Sequence, residues 1–223
     1  MTKRIEKLGG CPPFSTRPPS TMTDNVKLME GVAQARATCA ALVDLPDAEW
    51  NIIPEMVHYR AYQRGEQLIR AGEAPTHFFF ILSGLVRCFY ATIDGKEFNS
   101  DFFAENEFAG SFVACILGGP SRFSVEALEP CEVLMVSTDA QERLHDINQG
   151  WERLRRIHAE HVVLKKERRE ASFLLDDAER RYLDFLANHP HLEGRLPQYH
   201  IASYIGVTDV ALSRIKRRLG KMG

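Results

Sequence analysis

The sequence predicts an α+β chain: an N-terminal antiparallel β-roll of jelly-roll type, a long helix, and a C-terminal helix-turn-helix. Three observations predict it. Between Tyr62 and Ser137 the hydrophobic pattern changes from helical spacing to short alternating or continuous runs. From Leu154 to Leu175 it returns to unbroken steps of three and four. Between Pro197 and Leu219 two short amphipathic stretches flank Gly206.

Composition bounds the rest. A chain of 223 residues can build one large domain or two modest ones, and 44% hydrophobic residues argue against disorder. No run of 18 apolar residues predicts a membrane span, and the N-terminus lacks the apolar core of a signal peptide, so a cytoplasmic protein is expected. Cys11, Cys39, Cys88, Cys115 and Cys131 contain no C-x-x-C and suit reduced, mostly buried thiols. The net charge of −2 is unevenly spread. Residues 1–150 hold 13 Lys and Arg against 20 Asp and Glu, whereas residues 151–223 hold 15 against 10. A basic end on an acidic body is the electrostatic footprint of a nucleic-acid partner confined to one end.

Residues 1–25 are rich in Pro, Gly, Ser and Thr and read as a flexible segment, with Met22 as an alternative start to Met1. Residues 26–149 read as a sensor domain of N-terminal helices and β-roll. The helices cover 26–59, the second opening at Pro46 or Asp47 ahead of Trp50, Ile53, Met56 and Val57. The strands are QLIRAGE, FFFILSGLVRCFYAT, KEFNSDFFA, FSVEAL and CEVLMVS, separated by Gly-rich turns. Asp94-Gly95 predicts a hairpin with a type I′ turn, which needs positive φ at both positions.

Residues 138–175 read as helix. Within it, 150–175 is assigned to dimerisation, because Leu154, Ile157, His161, Leu164, Arg168, Ala171 and Leu175 form a heptad seam. A seam helix packed only on its own domain is the simpler alternative, but Val162, Val163 and Phe173 give it a second apolar face. Asp176-Asp177 reads as hinge and cap, followed by an amphipathic helix stopped at Pro190.

Residues 176–223 form the predicted DNA-binding domain. Ile201, Ile205, Leu212, Ile215 and Leu219 recur at helical spacing, and Ala202 permits close helix approach. Gly206 supplies the left-handed turn, and Thr208 caps the second helix by accepting from residue 210 or 211. Asp209, Ser213 and Arg217 lie along one face of that helix, with Val210 and Arg214 on the next row. Arg214 is the expected base reader, donating twice to guanine. Lys216, Arg217 and Arg218 are expected on phosphates. Gln198, Tyr199 and Thr208 complete the expected DNA-contacting set. An ordinary helical hairpin with a solvated basic face is the simpler alternative.

In this order, the chain resembles the CRP/FNR family of bacterial transcription regulators. The resemblance runs from about Tyr62 to Leu219. It rests on GEQLIRAGE, FFFILSGLVR, the DGKE turn, FAGS, CEVLMVS and IASYIGVTDVALSRIKRRL. It implies a cyclic-nucleotide-binding-type β-roll, a winged helix-turn-helix, a homodimer along the seam helix, an inverted-repeat DNA operator and contact with RNA polymerase. Its effector pocket would map to Gly110, Ser111, Ser121, Arg122, Lys165 and Lys166. Two departures stand out. Ser111 replaces the Glu that accepts from a ribose hydroxyl, and Ser121-Arg122 reverses the Arg-Ser pair that holds a cyclic phosphate. An altered pocket is therefore expected; a cyclic-nucleotide-responsive regulator gripping phosphate through Arg122 is the alternative. Family members often continue past the recognition helix into a β-hairpin wing; here the expectation is a wing from residues 189–196 or none.

No catalytic constellation stands out, so no enzyme is expected. His158 and His161 lie at i,i+3 without a clear third ligand, and the cysteines lack iron–sulfur clustering. No cofactor is predicted, although a haem sensor needs only one or two axial ligands and the sequence leaves it open. The rival from another class is a β-barrel metalloenzyme with a helical tail, for which closely spaced His-x-His is missing.

Overall fold

The computed structural model describes residues 22–192 and 194–220. Helices α1 (Met22–Ala40) and α2 (Asp47–Asn51) and a 3-10 turn at Ile53–Glu55 come first. Six strands follow: β1 (Val57–Tyr62), β2 (Gln67–Ile69), β3 (His77–Ser83), β4 (Val86–Ala91), β5 (Glu97–Phe103) and β6 (Phe108–Ala109). Helix α3 (Phe112–Leu117) leads to β7 (Ser124–Ala127) and β8 (Cys131–Ser137). The remaining helices are α4 (Thr138–Ile147), α5 (Gln149–Leu175), α6 (Ala178–Asn188), α7 (Gln198–Ile205) and α8 (Asp209–Leu219).

The strands form two four-stranded sheets, ordered β1-β8-β3-β6 and β2-β7-β4-β5. Strand β8 pairs antiparallel with β1 and with β3, Leu134 lying opposite Tyr59 on one side and Phe80 on the other. The apolar run of β3 has a physical reason. Phe80 and Leu82 face a core shared with Leu28, Val32, Trp50 and Trp151, while Phe79 and Ile81 face a second core with Val86, Val125 and Val133. A strand buried on both faces reads as continuous rather than alternating hydrophobicity.

Two compact units result. One comprises the chain up to Cys88 with Phe102–Ile157; the other comprises Phe89–Asp101 with His158 onward. In the first, the start of α5 belongs to the core: Trp151, Leu154 and Ile157 join it. The Trp50 and Trp151 rings meet edge-on at 5.1 Å, and Trp151 Nε1 donates to the Glu49 carboxylate at 3.0 Å.

Several expectations change. Helix α1 begins at Met22, so residues 22–25 are helical rather than flexible; residues 1–21 lie outside the described residues. Helix does not extend to residue 59: Pro54 sits in the 3-10 turn and Val57 starts β1. Residues 138–175 are two helices, broken where Asn148 takes an extended backbone and its side chain accepts from the Gly150 N–H at 2.7 Å. The β4–β5 turn spans residues 92–96, closed by Thr92 N–H to the Lys96 carbonyl at 2.9 Å. Only Gly95 there has positive φ, so the turn is not type I′. Residues 190–192 form a 3-10 turn, and no strand occurs among the described residues of 189–196. Leu154 and Ile157 are half-buried and pack on their own chain's core.

Candidate nucleic-acid interface and effector pocket

The second unit carries the helix-turn-helix. Gly206 ends α7 in the left-handed conformation, φ 75° and ψ 35°, and the Val207 N–H donates to the Ala202 carbonyl at 2.9 Å. A Cβ on Gly206 would lie 2.6 Å from a Phe173 ring carbon, so helix α5 packs directly on the turn. Thr208 caps α8 by accepting from the Ala211 N–H at 3.2 Å. Leu212 and Ile215 are buried and Leu219 half-buried, which turns Asp209, Val210, Ser213, Arg214, Lys216, Arg217 and Arg218 outward. Two of these are already engaged: Gln198 Nε2 donates to Ser213 Oγ at 2.5 Å, and Arg218 pairs with Glu179 of α6. Tyr199 is exposed and its ring lies tilted against that of His200, centroids 4.2 Å apart.

Residues that sequence reasoning missed hold this unit together. Arg181 of α6 donates to the Ile205 carbonyl at 2.9 Å, tying α6 to the end of α7. Arg169 lies over the rings of Tyr204 and Phe173, at 4.1 and 4.8 Å from their centroids. His189 follows α6, buried, 5.1 Å from the Phe185 ring and 5.9 Å from Tyr204. Burial first, then the Lys165 ammonium, push its pKa down from 6.5 to about 4.

That shift has a consequence for stability. The folded chain favours neutral His189, so its contribution is complete above the unfolded value of 6.5 and is lost as pH falls towards 4. About 3 kcal/mol should disappear across that window. His158 and His77, both lowered chiefly by burial, add in the same direction. Urea unfolding at pH 7.5 and 4.5 checks this. His189→Leu should reduce the pH dependence; an unchanged dependence would mean that His189 is not a titrating group.

The expected effector pocket divides between the units. In the first, the Ser121 hydroxyl donates to the Phe123 carbonyl at 2.7 Å and its Oγ lies 3.1 Å from Ser111 Oγ, both serines buried. A Cβ on Gly110 would lie 2.5 Å from a Phe78 ring carbon. Arg122 points to the surface. In the second, Lys165 is ion-paired with Asp101 at 2.5 Å, and Lys166 is exposed. The structure thus joins Ser111 to Ser121 but places Lys165 on a β5 carboxylate.

The thiols of Cys39, Cys115 and Cys131 are pushed up to about 11 by burial. Groups of three or more metal-ligating side chains do not occur among the described residues. No helix among those residues is long and apolar enough to cross a membrane.

Of the seam positions in the second unit, His161, Leu164, Arg168, Ala171 and Leu175 are all exposed; Leu164 and Leu175 stand 51% and 82% open.

Residues 59–148 match the family model of the cyclic nucleotide-binding domain. FixK2 from Bradyrhizobium japonicum is 20% identical with a TM-score of 0.65, over 75% of this chain and 86% of that one. A protein from Eubacterium rectale described as a transcriptional regulator of the CRP/FNR family is 14% identical with a TM-score of 0.64, over 81% and 86%. The fold is that of the CRP/FNR regulators. The global regulator CLP from Xanthomonas campestris shares this fold at 16% identity and a TM-score of 0.63, over 80% of this chain and 93% of its own. No curated protein sequence matches the chain. In CRP/FNR terms, the matched stretch begins inside β1 and ends at the Asn148 break, just before α5.

Proposed function

We propose that this protein is a homodimeric transcription regulator of the cytoplasm that reads an inverted-repeat DNA site through α8. The observation that carries the reading is the pairing of a Thr208-capped, left-handed turn with an exposed row of Arg214, Lys216 and Arg217 beyond it. That is the form in which a recognition helix offers its first turns to base edges and its basic end to phosphates. The domain boundaries follow: β-roll to residue 149, dimerisation helix to 175, helix-turn-helix beyond. The resemblance also implies contact with RNA polymerase.

The pocket reading is that cyclic AMP is not the effector. Ser111 and Ser121 satisfy one another where a carboxylate and a guanidinium would hold ribose and phosphate, and Arg122 faces solvent. CLP, described as c-di-GMP responsive, illustrates that this fold is not tied to one nucleotide. Gripping phosphate through Arg122 would require that side chain to turn inward. The metalloenzyme reading has no ligand cluster to build on among the described residues.

One experiment tests the proposal. In vitro selection from random duplexes should return inverted repeats with half-site centres roughly one helical turn apart, about 34–36 Å. Millimolar cyclic AMP should alter neither the sites nor their affinity. Arg214→Ala should cost about 1–3 kcal/mol on the selected site and relax preference at one base pair per half-site. Lys216→Ala should weaken selected and random DNA alike. Sites without two-fold symmetry, or an equal loss on all sequences for Arg214→Ala, would overturn the assignment. Micromolar cyclic AMP dependence abolished by Arg122→Ala would install the alternative effector.

A further inference from the structure

The tip of the β4–β5 hairpin, residues 89–101, lies in the same compact unit as the second half of α5 and the helix-turn-helix. Asn99, on that tip, is 2% exposed. Its Nδ2 donates to the His200 carbonyl at 3.0 Å and lies 3.0 Å from His200 Nδ1. Its backbone N–H donates to Ser203 Oγ at 2.9 Å, and the Ser203 hydroxyl reaches the Glu97 carbonyl at 3.4 Å. Arg169 of α5 closes the triangle, donating to the Asn99 carbonyl at 3.1 Å and to the Tyr204 carbonyl at 2.8 Å. One turn earlier, Lys165 holds Asp101.

Hairpin, α5 and α7 therefore meet in a directional polar clamp. Apolar contacts would let helices slide or rock. A buried amide that donates to one helix resists this, because a shift costs a desolvated hydrogen bond. Helix α8 follows α7 rigidly through the Gly206 turn and the buried Leu212. Without the clamp, α5 keeps the Phe173 ring against the Gly206 turn and under Arg181 of α6, and the chain link to α6 is Asp176 with extended Asp177.

We propose that the Asn99–His200–Ser203–Arg169 clamp sets the half-site spacing this protein accepts. The proposal rests on the dimeric DNA-binding reading. In a two-fold dimer, the separation of the two recognition helices depends on the seam and on the angle between α8 and α5. The clamp fixes that angle. Lys165 and Arg169 are half-buried, beside the exposed seam positions His161, Leu164 and Arg168. One added base pair separates the half-sites by about 3.4 Å and turns one against the other by roughly 35°. A clamped dimer cannot follow this, whereas a dimer swinging on its hinge can. Asn99 acts here as a positioning residue, touching no DNA.

The test uses the full chain and the half-site selected by the wild-type protein, placed as inverted repeats with the spacer lengthened or shortened by one and two base pairs. Wild type should lose about tenfold affinity per base pair away from its optimum. Asn99→Leu, and independently Ser203→Ala, should bind weaker at the optimum and flatten the profile to within about threefold. Circular dichroism and sedimentation establish that each variant is folded and dimeric; if Asn99→Leu does not fold, Ser203→Ala carries the comparison. A folded, dimeric variant that keeps the sharp wild-type profile overturns the clamp. So does one that loses affinity equally at every spacing. Wild type selecting no inverted repeat overturns the dimeric DNA reading itself, and is distinguishable because no variant is needed to see it.

Discussion

Replacing Gly84 by Ala should destabilise the protein by roughly 3–5 kcal/mol, the sum of a conformational and a steric penalty. Gly84 turns the chain from β3 into β4 at φ +97°, where an L side chain is strained. A Cβ would also lie 2.5 Å from Cys131 Sγ, 2.6 Å from the Pro130 carbonyl oxygen and 2.9 Å from Cys131 Cα. Two of those three atoms are backbone at the start of β8, the strand between β1 and β3. They cannot move without disturbing both pairings. Gly65 supplies the control: φ is +85°, but no atom lies within 4 Å of its Cβ position. Gly65→Ala should therefore cost only the conformational part, about 1–2 kcal/mol. Urea unfolding of both variants, with unchanged slopes, separates the terms. Equal losses would mean that β8 yields and that close approach is not what demands Gly84.

The sequence showed best what is encoded locally. Gly206, Thr208 and the spacing of Leu212 and Ile215 lie within one stretch, and each has a single conformational meaning, so the helix-turn-helix was legible to the capping residue. The β-roll was legible from runs and glycines. Its boundary at Val57 was not, because Trp50, Ile53, Met56 and Val57 mimic a helical stripe although the last begins a strand. The break at Asn148 was hidden for the opposite reason: helical signals run on both sides of one residue whose side chain does the stopping.

What the sequence could not show is contact across distance. Asn99 and His200 are 101 positions apart, and an Asn within a strand run gives no sign of the helix it binds. Likewise, the resemblance assigns Lys165 to the effector pocket, and nothing local in the chain marks Asp101 as its ion-pair partner. The heptad spacing of α5 runs through two environments. Leu154 and Ile157 spend it on their own core, while His161 through Leu175 leave it facing outward.

That division makes Leu164→Glu the most discriminating change in the molecule. Leu164 is half-exposed in the chain taken alone, beside exposed Val163, so a carboxylate there meets water and the fold should be unaffected, within about 0.5 kcal/mol. In a two-fold dimer, the same substitution sets two like charges against each other in a desolvated seam, which is strongly unfavourable. Sedimentation should find monomer with wild-type circular dichroism and thermal midpoint. Affinity for the selected inverted repeat should fall by about 10²–10⁴, because each half-site is then bound separately, whereas affinity for an isolated half-site should hardly change. Ile157→Glu is the contrasting substitution. Ile157 packs against the core of Trp50, Leu144 and Trp151, so a charge there should unfold the first unit rather than split a dimer. A Leu164→Glu protein that remains dimeric would place the interface on another face of α5. One that remains dimeric and keeps full operator affinity would remove the seam from the mechanism altogether.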